Sequence, residues 1–264
     1  MRVTAVLLAA HQDSCDIGGQ PVTEIDQELC TGCGACIPYC PVGAIALDEA
    51  TGLTSKVNTD QCVECGVCLR ADVCPTGAFK TTPSAWPRVL RSAFSDPLVV
   101  HVGTDIPGRG TEEMKTNDVT GRYRRGRIGL AIEIGRPGVG TTFREVERVA
   151  RAMAGLGVKF EPANPVTQIM ADPATGRLKE EVLGERVLSA IVEGDVPEES
   201  AATVLQAVLA LAPSLETVFS VSVAARVDTD GSTPQTKVAR ALGITPYPNG
   251  KTNVGLGRPS FKEE

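Results

Sequence analysis

The pattern of apolar and polar positions in the second half of the chain predicts a regular series of strands and helices. Ile128, Leu130, Ile132 and Ile134 alternate with small or polar residues, which predicts a strand with one buried face. The further predicted elements are helices at 143–153 and 197–212, strands at 158–160, 166–170, 187–192 and 218–227, and a hairpin turn at 172–176. This order predicts a βαββαβ-like sandwich, with two helices on one face of an antiparallel sheet.

The flanking segments show weaker patterns. An apolar run at 3–9 predicts a strand. Apolar residues at 86, 89, 90 and 94 predict a short helix that docks against one domain. Trp86 is expected to pack into a core, and the alternatives are that it shields a cluster or anchors a partner. A strand at 98–102 precedes a long loop, and a helix at 234–242 precedes an extended arm. The fold class is therefore α+β, divided into a module with an N-terminal strand (1–82), a connector and long loop (83–127), the sandwich (128–228), and a helix with an extended arm (229–264).

Eight of the nine cysteines lie in two dense runs. The runs are Cys30, Cys33, Cys36 and Cys40, followed by Pro41, and Cys62, Cys65, Cys68 and Cys74, followed by Pro75. Three thiolates separated by two residues can hold one iron–sulfur cube, and the fourth ligand then comes from elsewhere. Zinc sites favour separated pairs of cysteines, and disulfides join such close cysteines poorly. The runs therefore predict iron–sulfur clusters, whether redox-active or only structural.

The segments CTGCGACIPYCP (30–41) and CVECGVCLRADVCP (62–75) resemble the bacterial two-cluster ferredoxins. The resemblance covers residues 22–82 and implies two [4Fe-4S] clusters. It implies the ligand sets Cys30, Cys33, Cys36 and Cys74 for cluster 1, and Cys40, Cys62, Cys65 and Cys68 for cluster 2. Five residues rather than the usual three separate the last two cysteines of the second run. We therefore expect different reduction potentials for the two clusters.

An internal repeat runs through the cysteine-rich module. PVGAI at 41–45 matches PTGAF at 75–79, each after the last cysteine of its run. The repeat predicts two halves related by a pseudo-twofold axis, each built around one cluster. Gly32, Gly34 and Gly66 are predicted to let the backbone turn its N–H groups toward sulfur.

The charge of the chain is unevenly distributed. Residues 1–82 carry ten acidic and four basic residues, which accounts for the formal net charge of −6, because the remainder has 22 of each. A negative face on this module would attract a basic redox partner and disfavours nucleic acid. No apolar run reaches the length of a membrane span. Oxygen-labile clusters then favour the cytoplasm of an anaerobic or facultative organism.

Candidate chemistry outside the two runs is sparse. Cys15 is a lone cysteine and is expected to be inert. The two histidines, His11 and His101, form no metal site, and His101 is expected to be a satisfied strand residue. No catalytic residue is assigned. Arginines at 122, 124, 125 and 127 indicate either a site for an anion or acidic partner, or an edge strand with solvated, ion-paired arginines.

A glycine-rich turn, GRPGVGTT at 135–142, precedes the first predicted helix of the sandwich. Such a turn can present N–H groups to an anion. It lacks both the Lys-Ser/Thr ending of a P-loop and the spacing of dinucleotide-binding glycines. A strand-to-helix turn with Thr141 or Thr142 as N-cap is the simpler interpretation, and flavin or nucleotide binding is the alternative.

These features predict an iron–sulfur electron-transfer subunit. It would relay single electrons between a soluble low-potential donor or acceptor and a catalytic oxidoreductase subunit, within a hetero-oligomer. One alternative is a ferredoxin-fused reductase whose C-terminal domain binds flavin or substrate itself. Another is a sensor, in which loss or redox change of a cluster alters an association made by that domain.

Overall fold

The structure is a computed structural model that describes residues 21–101, 103–108, 124–136 and 138–245. Several sequence predictions lie outside these residues. They are the strand at 3–9, His11, Cys15, Arg122 with most of its long loop, and the arm beyond residue 245.

The N-terminal module, residues 21–83, consists of short antiparallel strand pairs. Its elements are β1 (Pro21–Ile25), β2 (Ile45–Leu47), β3 (Ser55–Val57), the one-turn helix α1 (Val67–Arg70) and β4 (Phe79–Pro83), with a 3₁₀ turn at Ile37–Tyr39. β1 pairs with β4, and β2 pairs with β3. A small core of Ile25, Cys36, Ile45 and Ala78 holds the pairs together. The first and last strands of the described part of the module are thus hydrogen-bonded to each other.

The connector contributes a buried helix to the second half of the molecule. Its elements are α2 (Val89–Ser95), β5 (Val100–His101) and β6 (Ile106–Pro107). Leu90, Ala93 and Phe94 belong to the C-terminal core, so the predicted apolar stripe is confirmed for this helix. The prediction that Trp86 packs into a core is wrong. Trp86 precedes the helix and is 46% exposed, with Lys179 Nζ 5.6 Å from its ring centroid.

The C-terminal body, residues 124–245, carries the main core. Its strands are β7 (Arg127–Ile134), β8 (Thr141–Thr142), β9 (Lys159–Phe160), β10 (Met170–Asp172), β11 (Arg177–Leu178), β12 (Arg186–Val187), β13 (Ala190–Pro197) and β14 (Phe219–Ala224). Its helices are α3 (Phe143–Ala154), α4 (Pro165–Gln168), α5 (Glu198–Leu211) and α6 (Pro234–Ala241), with 3₁₀ turns at Glu180–Val182 and Ala212–Ser214.

The main sheet of this body is antiparallel, with the strand order β14-β7-β13-β9. The apolar side chains of β7 share one core with those of α3 and α5, so both helices lie against the same face of the sheet. Val146 of α3 and Val204 of α5, for example, are fully buried there. α6 reaches the same core through Val238. The predicted mixture of helices and strands is confirmed. Among the described residues, no helix is long and apolar enough to cross a membrane.

Two element predictions were wrong for local reasons. The segment 166–170 forms α4 before β10, because the Asn164 side chain accepts from the Val166 N–H and Pro165 suits the first helical turn. The segment 187–192 is divided between β12 and β13. The interruption occurs where the Leu188 N–H turns away from the sheet and donates to Ser95 Oγ at 2.8 Å. The hairpin at 172–176 is confirmed, since β10 pairs with β11.

Candidate metal centre

Two cavities in the N-terminal module are each lined by four cysteines. Site 1 is lined by Cys30, Cys33, Cys36 and Cys74. Site 2 is lined by Cys40, Cys62, Cys65 and Cys68. All eight are free thiols. Each site therefore receives three cysteines from one run and one from the other, which is the grouping that the ferredoxin resemblance implies.

Glycines with a left-handed backbone allow each run to curve around its cavity. Gly32, Gly34 and Gly66 have φ values of 65°, 70° and 66°. Gly32 is also required by close packing, because a Cβ there would lie 2.3 Å from the backbone oxygen of Leu53. The tight turns place three cysteines of a run around one cavity, where bulkier residues would strain the backbone.

Backbone N–H groups donate to sulfur at equivalent positions of the internal repeat. The Ala44 N–H donates to Cys40 Sγ at 3.1 Å, and the Ala78 N–H donates to Cys74 Sγ at 3.2 Å. In site 1 the Ser55 N–H also donates to Cys30 Sγ at 3.2 Å. Hydrogen bonds of this kind stabilise thiolate and the more negative state of a bound cluster. The two copies of the predicted repeat therefore make the same N–H to sulfur hydrogen bond.

The two sites differ in their exposure. In site 1, Cys33 is exposed, and the Ala78 N–H lowers the pKa of the Cys74 thiol. Each site also has one buried cysteine, Cys36 at 9% exposed in site 1 and Cys65 at 8% exposed in site 2. Burial raises the pKa of Cys62 to about 12 and that of Cys68 to about 11. Site 1 is thus the more accessible cavity to solvent, although burial also raises the pKa of its Cys36 thiol.

The donor set fits a [4Fe-4S] cluster at each site. Four thiols surround each cavity, and N–H groups already point at three of the sulfurs. Because ligand thiols with raised pKa values must lose protons to bind iron, loading releases protons. Among the described residues, no three His, Cys, Asp or Glu side chains are close enough to bind one metal ion together. The sulfurs are instead spread around the cavity walls.

Arginines surround the backbone of site 2, a feature that the sequence pattern did not predict. Arg91 Nη1 donates to the carbonyl of Cys62 at 2.7 Å, and Arg70 Nη2 donates to that of Cys65 at 2.7 Å. Arg88 Nη2 contacts Glu64 Oε1 at 2.5 Å. In the sequence, Arg88 and Arg91 lie among the apolar residues of the predicted helix. Two basic residues in such a segment were the only local sign of these contacts.

The glycine-rich turn does not present the start of α3 to a ligand. The Phe143 N–H donates to the carbonyl of Glu185 and the Arg144 N–H to that of Leu183, both at 3.1 Å. Both amides are therefore already satisfied by backbone. The Thr142 side chain at the N-cap position makes no capping hydrogen bond. Gly140 faces the cysteine-rich module, since a Cβ there would lie 3.5 Å from Val42.

The described arginines of the 122–127 run are used in folding. Arg125 Nη1 donates to the Val227 carbonyl at 2.7 Å, and Arg127 pairs with Asp195. The prediction of an edge strand is wrong for the described part of the run, because residues 124–126 are not in a strand and Arg127 begins β7, which lies between β14 and β13. His101 is satisfied as expected: its Nδ1 accepts from the Gly103 N–H at 3.2 Å. Burial lowers the pKa of His101.

Comparison with known proteins agrees with this geometry. A family model described as a 4Fe-4S dicluster domain matches residues 29–78. An uncharacterized ferredoxin of Methanocaldococcus jannaschii is 39% identical over 61 residues, which cover 22% of this chain and 92% of the relative. This chain belongs to the ferredoxin family. Its dicluster module accordingly carries two [4Fe-4S] clusters.

Two further relatives match part of this chain. One is a subunit of the H(2):CoB-CoM heterodisulfide,ferredoxin reductase of Methanothermobacter marburgensis, which is 35% identical over 124 residues, covering 37% of this chain and 17% of the relative. The chain thus spans about a sixth of the length of that relative. Ferredoxin-1 of Rhodobacter capsulatus is 48% identical over 42 residues, covering 16% of this chain and 60% of the relative. No solved structure shows a significant match.

Proposed function

We propose that the chain is an electron-transfer subunit that relays single electrons between a low-potential donor or acceptor protein and a catalytic oxidoreductase subunit. The observation that carries the proposal is the pair of four-cysteine cavities within one small module. A bound [4Fe-4S] cluster supplies one-electron chemistry at each site. The protein's contribution is to hold the thiolates, direct N–H groups at them and control access of water.

The ligand assignment is part of this proposal. We assign Cys30, Cys33, Cys36 and Cys74 to cluster 1, and Cys40, Cys62, Cys65 and Cys68 to cluster 2. The lining of the two cavities supports the assignment. The N–H groups of Ala44 and Ala78 also support it. They donate to Cys40 and Cys74, the two cysteines that each line the cavity formed mainly by the other run.

Site 1 is the proposed contact for the donor or acceptor protein. Leu29 and Leu53 are 50% and 73% exposed beside the loop that holds Cys30 and Cys33. The module is acidic, with Glu28 and Glu49 exposed in this half. An apolar contact with acidic surroundings fits a partner that has a basic rim, and its association should weaken with salt.

The C-terminal body is the proposed docking domain for the catalytic subunit. We infer a βαββαβ-like sandwich at residues 128–228, and the order β7, α3, β9, β13, α5, β14 supports it. The division into 1–82, 83–127, 128–228 and 229–264 stays a prediction. α2 and α6 both pack into the core of this domain. We therefore propose that the folded domain also includes these two helices, which lie before residue 128 and after residue 228.

The partner complex is proposed from the relatives. The likeness to the heterodisulfide,ferredoxin reductase component covers 37% of this chain, whereas the dicluster segment 29–78 is only 50 of the 264 residues. Because the likeness extends beyond the clusters, an oxidoreductase complex of this type is the proposed setting. We place the complex in the cytoplasm of an anaerobe, since such clusters are labile to oxygen.

Anaerobic purification from the native organism tests the proposal. The expected result is about eight irons and eight sulfides per chain, co-purification of an oxidoreductase subunit, and oxidation of the dithionite-reduced chain by that subunit. Zinc in place of iron, or reduced protein that the co-purified subunit does not oxidise, would contradict the relay. A flavin band after subtraction of cluster absorbance would favour the fused reductase, and oxygen-dependent dissociation without turnover would favour the sensor.

A further inference from the structure

Arg91 connects the loop of site 2 to the C-terminal body. It lies on α2 and is only 6% exposed. Its Nη1 donates to the carbonyls of Thr59 and Cys62 at 2.8 and 2.7 Å. On its other side, Nε donates to Glu185 Oε2 at 2.5 Å. One buried guanidinium therefore holds the backbone at a proposed cluster ligand and is itself held by a carboxylate from the other half of the molecule.

Neighbouring contacts reinforce the same loop. Arg88 Nη1 also donates to the Thr59 carbonyl, at 3.1 Å. Glu64, which accepts from Arg88, accepts the Thr23 N–H at 2.9 Å through its other oxygen. The carbonyls of Thr59 and Cys62 therefore accept hydrogen bonds from positively charged guanidinium groups.

The corresponding basic residues near site 1 are arranged differently. Lys56 and Lys80 are exposed and lie 3.0 and 3.9 Å from Asp48 and Asp26. Exposed pairs of this kind are screened by solvent and contribute little. A buried arginine acts in a lower dielectric and is planar, so its charge and its orientation are both fixed. The electrostatic surroundings of the two sites are therefore unequal.

This inequality bears on reduction, because an added electron makes a cluster more negative. Hydrogen bonds, net charge and solvent exposure near the cluster set its potential. The guanidinium of Arg91 lies between the Cys62 loop and the Glu185 carboxylate, so its positive charge is the nearer of the two to site 2. Arg91 should therefore stabilise the reduced state, and Glu185 should partly oppose it.

We propose that Arg91 is a positioning residue for cluster 2, which fixes the Cys62 loop and raises the reduction potential of that cluster. The proposal rests on the ligand assignment given under the proposed function. Arg91 also links the loop of site 2 to Glu185, so the cluster that it tunes is the one on the side of the module that faces the C-terminal body.

A redox titration of the whole chain, loaded with both clusters and followed by EPR, tests this inference. The wild type should show two distinct midpoints, and the signal lost in Cys65→Ser identifies cluster 2. Arg91→Gln should shift the cluster 2 midpoint downward, and Glu185→Gln should shift it upward. Arg151→Gln removes the same charge from an exposed pair with Glu147 on α3 and should shift neither midpoint.

Opposite shifts from the two members of one ion pair separate tuning from simple loosening, which would move both variants in the same direction. An unchanged or lowered cluster 2 midpoint in Glu185→Gln would overturn the inference. If Arg91→Gln does not retain both clusters, the shift of the cluster 2 midpoint in Glu185→Gln is the test of the inference. Two clusters with unaffected midpoints refute only this inference, whereas protein without clusters refutes the proposed function.

Discussion

The two halves of the dicluster module share a repeat but differ in their surroundings. In both halves the alanine of the repeat donates its N–H to the last cysteine of the run. Site 1 has an exposed cysteine and lies beside exposed leucines, whereas site 2 lies against α2 and accepts hydrogen bonds from buried Arg91. The repeat thus determines the sulfur geometry, and the connector helix α2 makes the surroundings of one copy differ from those of the other.

The largest expected effect comes from the cysteines that each run contributes to the opposite site. Cys74→Ala should remove about four of the eight irons, because site 1 loses a ligand. Alkylation and mass spectrometry should then find Cys30, Cys33 and Cys36 modified and Cys62 protected. Cys40→Ala is the matched variant and should give the reverse. Modification of the second run in Cys74→Ala would show that the runs bind clusters separately.

A smaller effect is expected where site 1 packs on backbone. Gly32→Ala places a Cβ 2.3 Å from the Leu53 oxygen, whereas Gly43→Ala meets nothing within 4 Å. The two glycines have φ values of 65° and 66°, so the conformational cost is the same in both variants. Gly32→Ala should therefore be roughly 1–3 kcal/mol less stable than Gly43→Ala because of overpacking.

Thermal denaturation of the cluster-loaded proteins, followed by the loss of cluster absorbance, measures this difference in stability. Equal melting temperatures for the two variants would mean that the Leu53 backbone moves aside without cost. The clash at Gly32 would then play no part in shaping site 1.

The smallest expected effect concerns thiol reactivity in the cluster-free chain. The thiolate is the nucleophile in alkylation, so a cysteine with a lower pKa reacts at lower pH. The Ala78 N–H lowers the pKa of Cys74, and burial raises that of Cys62 to about 12. As pH rises from about 6 to 9, Cys74 should reach its full alkylation rate first. The rate at Cys62 should still be increasing at the upper end. Mass spectrometry of partially alkylated samples measures both rates, and equal pH profiles would contradict the difference in burial.

Local patterns in the sequence predicted much of this molecule. Apolar spacing located α3 and α5, because an amphipathic helix that packs on a sheet needs that period. The cysteine spacing, through its resemblance to ferredoxins, anticipated the grouping of the two cavities. The boundary at α4 was also encoded locally, since Asn164 and Pro165 are typical helix-start residues. The strand predicted at 166–170 was wrong because it relied on the apolar residues of that segment and not on the helix-start residues Asn164 and Pro165.

The environment of site 2 could not be predicted in the same way. Arg91 and Glu185 are 94 residues apart in the chain, and Arg91 lies 29 residues from Cys62. No periodicity relates positions so distant, because their contact depends on how α2 docks between the module and the C-terminal body. The sequence does show a basic residue within the short helix α2, but nothing near it in the chain indicates that this residue is buried as an ion pair.

The exchange of cysteines between the runs has a consequence for synthesis on the ribosome. A nascent chain that ends before residue 74 has only three of the four thiols that line site 1, although the whole first run has been made. Site 2 likewise needs Cys40, which is translated early, and the second run, which is translated later. Under the proposed ligand assignment, neither site is completed by one run alone, so we expect a complete cluster to assemble only after both runs have emerged.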